Sequence, residues 1–202
     1  LAGGTDLMVG WNMGALNGRK VLDLSGVKEW AGLREEAGSL LIGSLVTHAR
    51  LREERLVRRR FPLLVEACAT VGAAQIQNRG TLGGNIANAS PAGDTFPALA
   101  VYEPFVHIAS AKEKRRIPFL DIFAGVKKTT LRAGELIECV EIRSPAREPT
   151  RQMFRKVGTR AAQAISKTVA AGLLWLSKDG TVEELRFALG SMAPTVLRLR
   201  TA

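Results

Sequence analysis

Two segments in which paired glycines sit beside small hydroxyl, amide or carboxyl side chains constrain this chain more than any other feature. One is Leu1-Ala2-Gly3-Gly4-Thr5-Asp6-Leu7; the other is Thr81-Leu82-Gly83-Gly84-Asn85-Ile86-Ala87-Asn88-Ala89-Ser90-Pro91-Ala92-Gly93-Asp94. Glycine admits positive φ and removes the Cβ that would hold backbone N–H groups away from a ligand, which suits loops that bind a phosphate diester. Thr81 and Asn85 can hydrogen-bond phosphate or sugar oxygens. Asp94, an acceptor-only carboxylate, would repel phosphate and suits ribose or ribityl hydroxyls instead. A ligand carrying both groups is expected. Either doublet alone fits an ordinary turn; their agreement is what points to a nucleotide. The chain has neither a G-x-x-x-x-G-K-[ST] phosphate loop nor a strand-linked G-x-G-x-x-G, so it is neither a Walker nor a Rossmann protein.

The remaining composition narrows the function classes. With 202 residues, 46% of them hydrophobic, the chain can bury one good core or two modest ones. No apolar run approaches the roughly 18 residues of a membrane span, and the glycine-rich start lacks the regions of a signal peptide. Cys68 and Cys139 are too few for a disulfide framework or an iron–sulfur cluster, which points to the cytoplasm and leaves any cluster to a partner. Cys68 falls in an apolar helical stretch and reads as a small core residue. The formal charge of +10 concentrates at Arg50, Arg52, Arg55, Arg58, Arg59 and Arg60, then at Lys112, Lys114, Arg115, Arg116, Lys127 and Lys128. Glu53 and Glu54 interrupt the first stretch and the single Tyr offers no stacking platform, so protein partners are expected and nucleic acid is not. His48 and His107 lack ligand spacing and read as structural residues; no G-x-S-x-G elbow is present.

Periodicity predicts a mixture of helices and strands. A short helix is expected from Asp6 to Gly14, and a buried strand at Lys20–Leu24 before another at Ser39–Gly43. Thr47 caps a helix through Ala49 and Leu51, and Pro62 restarts one to about Val71. Thr95–Val101 reads as helix; Phe105–Ile108 and Leu136–Ile142 read as strands. The proline-broken stretch 143–150 favours a linker, which divides the chain into 1–145 and 146–202. Beyond it, Lys167–Leu176 and Thr181–Leu189 flank Asp179-Gly180, a hairpin signal.

The AGGTDL segment, the TLGGNIANASPAGD segment and the run Phe154-Arg155-Lys156-Val157-Gly158-Thr159-Arg160 together resemble the FAD-binding subunit of the molybdenum hydroxylases, the family of xanthine and carbon monoxide dehydrogenases. SPAGDT and FRKVGTR read most like the xanthine dehydrogenase-like members. The resemblance covers nearly the whole chain. It implies an α+β fold: a p-cresol methylhydroxylase-type FAD-binding domain, lacking a short N-terminal segment, followed by the truncated start of an α+β C-terminal domain. It implies noncovalent FAD, with Ala2, Gly3, Gly4 and Thr5 around the pyrophosphate and Asp6 in a structural, capping role. It also implies Thr81 and Asn85 as FAD contacts, Gly83 and Gly84 as points of close approach, and Asp94 on the ribityl chain. Ile137 would pack near the flavin, and Lys156 would be a cation beside the isoalloxazine, with Arg160 in the same loop tuning the flavin or nicotinamide access. Partners would be a molybdopterin-binding large subunit and a [2Fe-2S] small subunit, in a dimer of heterotrimers that passes electrons through FAD to an acceptor such as NAD. The alternative is a nucleotide-binding or assembly module that keeps the fold without turnover.

Overall fold

Antiparallel pairing organises both halves of the molecule, and the helices between the two sheets bring the glycine segments together. The computed structural model describes residues 1–200. After α1 (Leu7–Asn12), β1 (Leu33–Glu36) and β2 (Ser39–Gly43) form a hairpin, followed by α2 (His48–Glu53), α3 (Arg55–Arg60), α4 (Pro62–Thr70), α5 (Ala74–Arg79), α6 (Leu82–Asn88) and α7 (Thr95–Tyr102). Then come β3 (Phe105–Ala109), β4 (Lys114–Pro118), the small pair β5 (Phe123–Gly125) and β6 (Lys128–Thr129), and β7 (Leu136–Arg143). These strands, apart from the small pair, make one sheet in the order β1-β2-β7-β3-β4. A second sheet holds β8 (Arg151–Gly158), β9 (Ser166–Leu176), β10 (Val182–Gly190) and β11 (Leu197–Leu199), in the order β11-β10-β9-β8.

Local chemistry explains several boundaries. Thr47 Oγ1 accepts from Arg50 N at 3.2 Å and starts α2. Pro62 starts α4, where its fixed φ fits and its missing N–H costs nothing. Every residue of α7 is buried, because the helix packs on α4 and on β9 and β10. A helix apolar on all sides requires such surroundings. Phe96 on this helix meets Phe119 and Phe123 with ring centroids 5.9 and 4.9 Å apart. One continuous apolar cluster runs from Ile42 and Val140 in the first sheet to Leu173 and Trp175 in the second. The polar stretch 143–150 connects the two sheets without regular structure, and Gly180, at φ 87°, turns β9 into β10. Cys68 and Cys139 are free and buried, and no described helix is long and apolar enough to cross a membrane.

Two expectations need correction. Lys20–Leu24 is not a buried strand: Val21 is 40% and Leu22 70% exposed. Apart from the turn in which Val27 N donates to Leu24 O, its described backbone bonds run to Leu1, whose amino group donates to Leu22 O and whose carbonyl accepts from Leu24 N. One residue of pairing does not make a ladder. The middle glycine segment is not a loop: Leu82–Asn88 is helical, capped by Thr81 and closed by Ala89 at φ 46°.

Candidate functional site

The first glycine segment lies on the C-terminal end of α5, and Gly3 is the residue that permits it. A Cβ at Gly3 would stand 1.8 Å from Arg79 O, and Gly4 has φ 75°. In this conformation the backbone N–H groups of Ala2, Gly3, Gly4, Thr5 and Asp6 donate to no described residue. Backbone donors are rarely left unpaired in folded proteins, so a run of free ones marks a place for solvent or a ligand. These residues line a cavity of about 340 Å³, and Thr81, Gly84, Asn85 and His48 line its other side.

The middle segment reaches the same cavity in a different way. Its helix offers almost no free donors, because Leu82 N donates to Val46 O, Gly83 N to Ser44 O and Asn85 N to Thr81 O, at 3.0, 3.0 and 2.9 Å. Gly84 N donates to Thr81 Oγ1 at 3.0 Å, which leaves the Thr81 hydroxyl proton for another acceptor. Asn85 Oδ1 accepts from Thr95 Oγ1, so its amide NH₂ is the group left to face a ligand. Gly83 does not line the cavity: a Cβ there would meet Ser44 Cβ at 2.4 Å, so this glycine serves helix packing rather than close approach to a ligand. Only Gly84 of the pair faces the opening.

Asp6 makes no capping hydrogen bond, contrary to expectation. Its carboxylate lies 3.4 Å from Lys127 Nζ, which also reaches Asn88 Oδ1 at 3.3 Å, so a salt bridge spans the cavity rim. Nothing in the sequence spacing announces Lys127, 121 positions from its partner.

Asp94 and Lys156 are brought together, but not as separate ligand contacts. Lys156 Nζ donates to Asp94 Oδ2 at 2.7 Å and to Thr70 O at 2.9 Å, and Ser166 Oγ donates to Asp94 Oδ1. The pair is nearly buried, with side-chain exposures of 12% and 8%. Burial pushes the Asp94 carboxyl above its usual range, while the bonds from Lys156 and Ser166 pull the other way. The expected lone cation is thus half of an ion pair that ties α4 and the end of the middle segment to the second sheet. Lys156 also edges a second cavity, of about 410 Å³, with Glu66, Thr70, Phe154 and Arg160. Thr70 lines this cavity and its neighbour Val71 the first, so the end of α4 separates them. Arg160 donates to Ala162 O and Gln163 O and braces its own loop. Ile137 is 6% exposed, belongs to the apolar cluster and lines neither cavity.

His48, read from sequence as structural, is a cavity residue that spacing did not reveal. His107 stands in β3 with Nε2 2.9 Å from Glu141 Oε2, within a charged ladder on the sheet. Among the described residues no cluster of three His, Cys, Asp or Glu could hold a metal ion.

Comparison with known proteins gives the family and the fold. The family model described as FAD binding domain in molybdopterin dehydrogenase matches residues 1–145. The chain is 31% identical to the carbon monoxide dehydrogenase medium chain of Hydrogenophaga pseudoflava over 98% of its own length and 68% of that protein. It is 30% identical to the xanthine dehydrogenase FAD-binding subunit of Escherichia coli O157:H7, over 100% of its own length and 69% of that protein. Among solved structures, a carbon monoxide dehydrogenase from Hydrogenophaga pseudoflava superposes with a TM-score of 0.91 at 28% identity, covering 98% of this chain and 68% of that one. Quinoline 2-oxidoreductase from Pseudomonas putida 86 gives 0.90 at 29%, with the same coverage. The chain belongs to the family of FAD-binding domains of molybdopterin dehydrogenases.

Proposed function

We propose that the cavity between the first glycine loop and α6 takes the pyrophosphate of a noncovalent FAD, and that the chain passes electrons from a partner's [2Fe-2S] clusters through that FAD to an acceptor such as NAD. One observation carries the placement: the free amides of Ala2 to Asp6 converge on a cavity whose other wall presents the Thr81 hydroxyl and the Asn85 amide. Such donors suit a diester anion, and Asp6, a carboxylate on the lining, is paired with Lys127. The cofactor supplies the redox chemistry; the chain binds and orients it. In this reading Asp94, held by Lys156 and Ser166, orders the wall between the two cavities, and a carboxylate's roughly four acceptor sites leave ribityl hydroxyls within its capacity. The bond from Lys156 Nζ to Thr70 O ties that wall to the end of α4.

The wider assignment rests on the family resemblance, which implies a molybdopterin-binding large subunit, a [2Fe-2S] small subunit and a dimer of heterotrimers; two cysteines with no disulfide framework favour the cytoplasm. We likewise divide the chain at 145/146, where the first sheet has ended and the second has not begun.

The test is to saturate the purified chain with FAD, remove excess by desalting, and read flavin absorbance before and after acid precipitation. Stoichiometric flavin that moves to the supernatant is expected. Flavin retained on the precipitate would overturn noncovalent attachment. No flavin bound would favour the assembly-module alternative, and bound flavin that neither NADH nor a dye can reduce would favour a module without turnover.

A further inference from the structure

His48 is a buried polar side chain that the reading above leaves without a role. It opens α2, is 1% exposed and still lines the cavity. Its Nδ1 lies 3.5 Å from Cys68 Sγ, a thiol buried in α4. Nε2 bonds to no described residue. Among the described residues, the buried polar side-chain atoms without a partner are Ser191 Oγ and Arg198 Nε, so Nε2 is not sealed in the core and opens onto the cavity its ring lines. The backbone around the ring is fixed: His48 N donates to Gly80 O at 3.0 Å, and a Cβ at Gly80 would approach both His48 Cδ2 and Thr5 Oγ1 to 3.3 Å. The ring and Thr5 of the first glycine loop thus both flank Gly80, and both line the cavity.

We propose that His48, in its Nε2–H tautomer, donates a hydrogen bond to the dinucleotide's pyrophosphate, and that the Cys68 thiol is the positioning residue that sets this tautomer. The proposal rests on the FAD reading of the cavity. A thiol donates its proton to the ring nitrogen it faces, which makes Nδ1 the acceptor and puts the ring proton on Nε2. Burial pushes the Cys68 thiol up, so it keeps that proton at physiological pH. Burial also lowers His48 to about 4, so the ring is a neutral donor whose contribution does not change between about pH 5.5 and 8.

Nitrogen-15 NMR of the full chain labelled at histidine tests this directly, because His48 and His107 are its two histidines. The spectra should show a protonated Nε2 and a bare Nδ1 for His48. Adding FAD or ADP should shift the Nε2 signal, riboflavin should not, and His107 should stay unmoved. His48→Gln, which keeps a donor near Nε2, should hold FAD affinity within about 2-fold, while His48→Leu should lose roughly 10-fold. Cys68→Ala should mix the tautomers, and Cys68→Ser should restore the Nε2–H form. A proton on Nδ1, or His48 signals unmoved at saturating FAD, would overturn the proposal while leaving the cavity assignment intact. A wild-type chain that binds neither FAD nor ADP would remove that assignment and this proposal together. The wild-type spectra decide the matter even where His48→Leu fails to fold.

Discussion

The two glycine segments are alike in composition and opposite in physics. Around Gly3 and Gly4 the backbone donors are free and the residues are half-exposed; around Gly83 and Gly84 the donors are already bonded and the helix is packed against Ser44. The first segment is a cradle, and the second is the wall that holds the cradle's far side in place. A glycine doublet is therefore not a ligand motif by itself. What decides its role is whether distant backbone has already taken its N–H groups.

This contrast predicts that changes tied to the second segment cost stability, whereas changes in the first cost binding. The largest effect is expected for Lys156→Ala, which leaves Asp94 buried beside one hydroxyl. Removing one partner of a buried pair costs about 3 to 5 kcal/mol. Urea unfolding should show that loss, and the double variant Asp94→Asn with Lys156→Met should recover most of it. A loss under about 1 kcal/mol would mean the pair is hydrated and the wall looser than described.

The pH dependence follows next, at His48, where the two segments meet. Its folded value of about 4 lies below the unfolded value of 6.5, so the unfolded chain binds the proton more tightly. Stability from this group is complete above about pH 6.5 and falls as pH drops toward 4, by at most about 3 kcal/mol. Cys68, facing the ring, stays neutral throughout and adds no slope. The unfolding free energy of wild type, taken relative to His48→Gln, should fall as pH drops from 7 to 4; parallel curves would deny that the ring is buried and neutral.

Glycine replacements separate the segments most cleanly. Gly83→Ala drives a methyl into Ser44 and should cost about 1 to 3 kcal/mol of stability, since tight packing admits no extra carbon. Gly3→Ala meets Arg79 O, but in a half-exposed loop that can lift away, so its stability should hold within about 1 kcal/mol while FAD affinity falls. Thermal unfolding and FAD titration on both variants would show the crossing, and equal losses in both assays would erase it. Smallest of all, Asp6→Asn should change stability by less than about 1 kcal/mol, because its bridge to Lys127 is exposed on both sides.

How much of this was legible in the sequence follows the range of the interactions. Thr47, Pro62 and Asp179-Gly180 act within a few residues, and the helix and turns they mark are where the sequence places them. Lys20–Leu24 has a strand's composition but only Leu1 to pair with, and composition carries no information about partners. The residues around the cavity were found through their resemblance to a family. Their division of labour was not, because Gly83 against Ser44, Asn85 against Thr95 and Lys156 against Asp94 are tertiary contacts. His48 was missed for the same reason: its thiol partner is twenty positions away and its cavity is built by segments from three parts of the chain.

The most direct test of the cradle and the wall is the backbone amide spectrum of the chain titrated with FAD. The amides of Gly3, Gly4, Thr5 and Asp6 should move strongly, as donors that gain an anionic acceptor, while those of Leu82, Gly83 and Asn85 should stay nearly still because their hydrogen bonds are already made. The reverse pattern, with the α6 amides shifting and the first loop unmoved, would contradict the account.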